Sequence, residues 1–166
     1  MGTLFVPIIF KENGMIKVLF VCHGNICRSP MAEFLFKKLV NEKGLSDYFY
    51  IASAATSTEE IGNPVHYGTR KILDRFNIDY KNKRAYQLTK KDVNEYDYII
   101  CMDRNNMCNL NRMFGNNAKF SMLLDYPNLN RDVLDPWYTG DFNSTYNDID
   151  VGINAFLNYL IDNKLI

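Results

Sequence analysis

Cys22 and Arg28 stand six positions apart and bracket His23-Gly24-Asn25-Ile26-Cys27, with Ser29-Pro30 following at once. The apolar run Ile16 to Val21 precedes the cysteine, and a helical pattern opens after it. A cysteine is thus expected where a buried strand ends, and an arginine where a helix begins. Backbone N–H groups of such a loop converge on an anion, and the helix start adds positive potential. These surroundings favour the thiolate form of a cysteine. A thiolate nucleophile, an N–H cradle and a guanidinium fork together form a site for attack on a phosphate ester.

Within the loop each residue has a reading. Arg28 is expected to bind two phosphoryl oxygens and to follow the charge into the transition state. Gly24 is expected to supply a positive φ. Asn25 tolerates the left-handed region and can tie the loop together through its amide. Ser29 reads as a helix N-cap that can also donate to the thiolate, with Pro30 as the first helical residue. Cys27 either packs or forms a reversible disulfide protecting Cys22 from overoxidation. His23 shapes the pocket mouth or simply faces solvent. The departing ester oxygen also needs a proton. Asp135, in Leu134-Asp135-Pro136-Trp137-Tyr138, is the candidate donor: Pro136 stiffens the segment and the aromatics can wall a cleft.

The elements that must hold these residues alternate between strand-like and helix-like, which implies a parallel sheet with crossover helices. Ile16–Val21 is apolar at nearly every position, as a strand covered on both faces should be. Met31, Phe34, Leu35 and Leu39 repeat at helical spacing up to a stop at Gly44. Tyr48–Ala54, Tyr96–Met102 and Phe120–Leu124 read as further strands. Thr69–Phe76, a segment capped by Asp103 and running to about Met113, and a C-terminal stretch carrying Val151, Ile153, Phe156, Leu157, Leu160 and Ile161 read as helices. Asp125–Thr145, rich in Asp, Asn, Pro and Gly, reads as one long irregular functional loop.

The 166 residues suit one domain with a real core. Residues 1–14 are expected to be an extension outside that core and 15–166 a single domain. Nineteen basic against 19 acidic residues give no support for a nucleic-acid or membrane-surface role. No apolar stretch is long enough to span a membrane, and Leu4–Phe10 lacks the flanks of a signal peptide. Four cysteines in a chain of this length do not form a disulfide framework, so a reducing cytoplasm is the expected setting.

The pattern C-x-G-N-I-C-R-S-P at Cys22–Pro30, with D-P-W-Y at Asp135–Tyr138, resembles the low-molecular-weight protein tyrosine phosphatases over about residues 15–163. The resemblance implies an α/β fold in three layers, a four-stranded parallel sheet with helices on both faces. It implies hydrolysis of phosphotyrosine and aryl phosphates through a phosphocysteine at Cys22. Arg28 would bind the phosphoryl group, and Asp135 would protonate the tyrosine oxygen and then activate water. Asn25 and Ser29 would hold loop and thiolate, and Trp137 and Tyr138 would flank the substrate ring. Ser53, in Ala52-Ser53-Ala54-Ala55, would support the loop, with Ala55 replacing the family's glycine. Met102-Asp103 and Asn105 match a further family segment. His66 lies where relatives contribute to the cleft rim, and a surface-structural role is expected of it. No metal or other cofactor is implied. Phosphotyrosine-containing proteins are the expected partners, with a cognate tyrosine kinase and a monomeric enzyme.

Two rival readings use the same loop. Arsenate reductases pass oxidation to two further cysteines, and Cys101 and Cys108 have a similar spacing; Ile26, Pro30 and the intact Asp135-Pro136-Trp137-Tyr138 segment argue against them. A phosphocysteine carrier of a sugar-transport system, or a phosphotyrosine-binding module without catalysis, would need no general acid, and Asp135 with Arg28 argues against both.

Overall fold

Seven residues in a row, Ile16–Cys22, form strand β1, and its last five side chains are buried. Only a strand sandwiched between two helical layers can bury both of its faces. The computed structural model describes residues 14–166 and shows that arrangement; the expected extension 1–14 lies almost wholly outside the described residues. β2 (Phe49–Ala55) and β3 (Tyr98–Cys101) flank β1, and β4 (Phe120–Met122) pairs with β3. The order is β2-β1-β3-β4 and every pair is parallel.

Alternation along β1 assigns its side chains to two cores. Val18, Phe20 and Cys22 face a layer made by α1 (Arg28–Glu42), α2 (Tyr67–Asp74) and α6 (Phe142–Asp162). Here Phe36 sits within 5.7 Å, ring centre to ring centre, of Phe20, Phe49 and Phe156. Leu19 and Val21 face Val93 of α3 (Lys90–Glu95) and Leu110 of α4 (Arg104–Phe114). Each such large side chain, fully withdrawn from water, contributes about 1.5–3 kcal/mol. A last short helix, α5 (Pro136–Thr139), carries the Asp135 segment.

Several expectations need correction. The helix after the loop begins at Arg28 with Cys27 at its N-cap and no side-chain cap, so Ser29 is helical and its hydroxyl is spent elsewhere. Gly24 is not at positive φ; Asn25 takes that role at φ 59°. A Cβ at Gly24 would instead lie 3.2 Å from Cγ of Glu60, a side chain that would have to yield by a few tenths of an ångström. β3 and β4 are shorter than the expected Tyr96–Met102 and Phe120–Leu124, with Leu123–Leu124 in a 3-10 turn after β4; β2 is shifted by one residue because Tyr48 closes a 3-10 turn before it, and β1 extends one residue further, to Cys22. Asp125–Thr145 is not one irregular loop, because α5 and the first turn of α6 lie within it. Asp141 starts α6 by accepting from Ser144 N–H. Helix α3, held by a reciprocal Thr89–Asp92 capping box, had no expectation at all.

Candidate active site

Strand β1 ends at Cys22, and the chain turns through Asn25 into the first turn of α1. The turn wraps the sulfur. Cys22 Sγ receives the Asn25 N–H at 3.3 Å and the Ser29 N–H at 3.5 Å, and lies 3.0 Å from the Ser29 hydroxyl. Cys22 is 3 % exposed. An otherwise buried sulfur surrounded by donors is set up for negative charge.

Arg28 reaches back under the same loop. Its Nη1 donates to Asp103 Oδ2 and to the Val133 carbonyl, both at 2.7 Å, and Nη2 lies 3.5 Å from Asp135 Oδ2. The side chain is only 2 % exposed. Burial is the largest influence on this guanidinium and opposes its charge, but Cys22, Asp103 and Asp135 together more than offset it and strengthen its hold on the proton. Asp103 is the N-cap of α4, so one helix start anchors the arginine. Its other carboxylate oxygen accepts from Asn106 N–H at 2.7 Å.

Asp135 divides its oxygens in the same manner. Oδ1 caps α5 by accepting from Trp137 N–H at 3.0 Å, with Pro136 at the first helical position; Oδ2 faces Arg28. The capping hydrogen bond therefore aims the second oxygen into the pocket. Cys22, His23, Gly24, Ile26, Cys27, Arg28 and Asp135 line this pocket, and Trp137, Tyr138, Glu59 and Glu60 complete its rim. Tyr138 is 85 % exposed, and Trp137 is also exposed, so both aromatics are available as walls.

Behind the loop, Asn25 donates both amide protons, to Ser29 Oγ at 2.8 Å and to Ser53 Oγ at 2.9 Å. Cys27 is a free, buried thiol; burial above all, then Cys22 and Asp135, push its proton affinity far up. His23 lies at the mouth, 3.0 Å from the Glu59 carboxylate. His66 is the N-cap of α2, stacked on Phe142 and edge-on to Trp137, so it supports a cleft wall as well as a helix. Cys101 is buried in β3, whereas Cys108 is exposed on α4.

The structure thus brings Cys22, Arg28, Asp135, Trp137 and Tyr138 to one hollow and puts Ser53 directly behind it. Asp103 was legible as a helix cap and as part of a family-like segment; that it also clamps Arg28 depends on a contact 75 positions away in sequence. Glu33 and Lys83, which complete the polar layer behind Ser53, were missed. Glu33 offered only a helical i,i+4 partner in Lys37, and Lys83 sits in a polar loop with no signal. A second concavity, between the β2 edge and α3, is lined by Lys17, Tyr50, Tyr86, Asp92, Glu95 and Tyr96 and holds no nucleophile.

The family model described as "Low molecular weight phosphotyrosine protein phosphatase" matches residues 17–165. The low molecular weight protein-tyrosine-phosphatase YfkJ of Bacillus subtilis is 44% identical over 147 residues, 86% of this chain and 94% of that one. The low molecular weight phosphotyrosine protein phosphatase of Homo sapiens is 40% identical over 153 residues, 88% of this chain and 96% of that one. The crystal structure of YfkJ superposes with a TM-score of 0.87 at 42% identity, covering 92% of this chain and 99% of the other. The resemblance carried by the two motifs therefore extends through the whole sheet and both helical layers, and the chain belongs to the low molecular weight phosphotyrosine protein phosphatase family.

Proposed function

We propose that this protein hydrolyses phosphotyrosine in proteins, and small aryl phosphates, through a phosphocysteine at Cys22. The observation that carries the reading is the convergence of the Asn25 and Ser29 N–H groups and the Arg28 guanidinium around one buried sulfur. Cys22 Sγ attacks phosphorus while Arg28 and the loop N–H groups hold the equatorial oxygens. The P–O bond breaks, and Asp135 delivers a proton to the departing phenolic oxygen. The same carboxylate then takes a proton from water, which attacks the phosphocysteine and frees Cys22 and phosphate. Asn25, Ser29 and Ser53 hold the loop. His23, Gly24, Ile26 and Cys27 form its walls, and Trp137 and Tyr138 flank the ring of the substrate.

The deciding experiment is turnover of p-nitrophenyl phosphate and a phosphotyrosine peptide, beside arsenate reduction with thioredoxin. Aryl phosphate turnover unaffected by a chelator, and lost in a folded Cys22→Ser variant, is expected. Wild-type rates in Cys22→Ser would end the nucleophile assignment. Arsenate turnover that disappears in Cys108→Ser would favour the reductase reading instead.

Cys27 is the proposed redox partner. Peroxide oxidises the Cys22 thiolate to the sulfenic acid, and the Cys27 thiol condenses with it to give the disulfide and water. Peptide mapping after peroxide treatment is expected to show a Cys22–Cys27 bond and activity that dithiothreitol restores. Sulfonic acid at Cys22 beside a free Cys27 would refute this. Four free thiols fit a reducing cytoplasm. We propose that the protein acts as a monomer on the products of a tyrosine kinase.

A further inference from the structure

The helical layers do not cover the sheet evenly. Helix α3 is six residues long, and Val93 is its one buried residue. At the start of β1 and β2, where Lys17 pairs with Tyr50 and Leu19 with Ala52, the sheet is left under an open concavity of about 440 Å³, against about 130 Å³ over Cys22. Such a volume is in the range of small-ligand sites. Ala52 gives the concavity a floor without bulk, and Tyr50, Tyr86 and Tyr96 stand around it. Tyr50 is 53 % exposed, and its ring centre lies 6.2 Å from that of the buried Tyr96. The phosphatase chemistry above uses none of these rings.

The lining suits a cation. Tyrosine faces carry negative potential, and Tyr86 already receives one ammonium, with Lys83 Nζ 5.5 Å from its ring centre. Asp92 and Glu95 also line the concavity, against Lys17 as the one cation of the lining. Asp92 is held in place by its capping box, where Oδ2 accepts from Thr89 N–H at 2.8 Å. Glu95 is open to exchange, since Lys91 is 81 % exposed and stands 3.8 Å away, a pair worth little in water. The phenols of Tyr86 and Tyr96 hold their protons more tightly than usual, through burial above all and then through Asp92 and the neighbouring tyrosines. They stay neutral and keep lone pairs to offer, beside carboxylates that can only accept. A guanidinium answers both features, because its plane stacks on aromatic faces and its edge carries five donors.

The same place offers an open strand edge. β2 is an outer strand of the sheet. Among the described residues its outward pairing is confined to Ala55, whose N–H bonds to the Tyr86 carbonyl and whose carbonyl accepts from Leu88 N–H. By the two-residue repeat of a strand, Ser53, Ile51 and Phe49 turn their N–H and C=O groups the same way. Lys83 takes the Ser53 carbonyl, and no described segment pairs outward with Ile51 or Phe49. Such an edge is a template for another extended chain. A side chain on the α3 face of a strand added there lies beside Tyr50 and Ala52, which line the concavity. We propose that the β2 edge and the tyrosine-lined concavity beside it dock an extended segment of a partner protein, which pairs its backbone with residues 49–51 and seats one arginine side chain among Tyr50, Tyr86, Tyr96, Asp92 and Glu95.

The test titrates the full chain with a capped pentapeptide, Thr-Val-Arg-Val-Thr, and follows backbone amide shifts by NMR. A twin peptide carries citrulline, which keeps the shape of arginine and lacks its charge. Saturable shifts are expected at Tyr50, Ile51, Ala52, Tyr86 and Tyr96, with the citrulline twin about tenfold weaker or worse. Glu95→Gln and Tyr50→Leu lie at exposed positions, and each should weaken the arginine peptide by about three- to tenfold. A single capped arginine should also bind about tenfold more weakly than the peptide, because it cannot use the strand edge. Equal affinity of the arginine and citrulline peptides overturns the proposal, as do shifts confined to the acidic rim at Glu59 and Glu60. A single capped arginine that binds as tightly as the peptide overturns the extended partner. Shifts at residues 49–51 that follow protein concentration without peptide give the edge to a second copy of this chain, and overturn it as well. None of these outcomes bears on the nucleophile assignment.

Discussion

Two carboxylates beside the pocket each do two jobs with two atoms. Asp135 caps a helix with one oxygen and offers the other to the pocket, and Asp103 divides itself in the same way between Asn106 and Arg28. Replacement of Asp135 by alanine therefore removes a cap as well as a proton donor. The two losses have different signatures. The cap is worth about 1 kcal/mol of stability regardless of substrate. Loss of the proton donor should slow turnover by about two to four decades for phenyl phosphate and much less for p-nitrophenyl phosphate, whose leaving group needs little help. Rates measured over a series of leaving groups test this, and equal losses throughout would rule out the acid role. At this scale the sequence was legible where chemistry is local: Cys22, Arg28 and Ser29 lie within one short loop, and Asp135 precedes a proline. It was not legible where the chemistry is long-range. Nothing in the order of residues says that Arg28 meets the Val133 carbonyl, or that Lys83 ends behind Ser53.

Elements carry the site by where they begin. α1 starts at Arg28, α4 at Arg104 after its cap Asp103, and α5 at Pro136 after its cap Asp135, so three helix starts meet at the Arg28 guanidinium. α2 supports the rim from a fourth start, where His66 Nδ1 accepts from Gly68 N–H at 3.0 Å. Only the neutral imidazole can accept there. Burial first, then Arg70, holds the His66 imidazole below its ordinary value of 6.5. A histidine whose folded value is depressed contributes stability above 6.5 and loses it as the pH falls through the folded value. Urea midpoints should therefore drop between about pH 8 and pH 5, and His66→Asn, a cap that does not titrate, should flatten that drop. An unchanged slope in the variant would assign the drop to other groups. Helical spacing of apolar residues revealed α1 and α6, an unbroken apolar run revealed β1, and the cap Asp103 revealed α4. Apolar spacing could not reveal α3 or α5, which are six and four residues long and owe their existence to capping.

At the scale of the molecule, the order β2-β1-β3-β4 puts β1 at the centre, with later strands laid on either side. A hollow opens at the carboxyl end of such a strand, where neighbouring connections leave in opposite directions. The loop after β1 occupies that place. We propose that residues 15–166 form a single domain: a chain beginning at Met15 should unfold in urea in one transition and keep its turnover, and two separate transitions would argue against this. Parallel pairing was legible from the alternation of segments, and the three layers from the family resemblance, whereas the length of each strand was settled by tertiary contacts. The clamp on Arg28 by Asp103 and the Val133 carbonyl has a consequence for the enzyme at work. If the proposed function holds, an arginine fixed before anything arrives meets a tetrahedral oxyanion whether or not it carries an aromatic ring. The inorganic ion released at the end of each cycle fits the same hollow, so the catalyst competes with its own waste. Added inorganic phosphate is therefore expected to raise KM for p-nitrophenyl phosphate while leaving kcat unchanged.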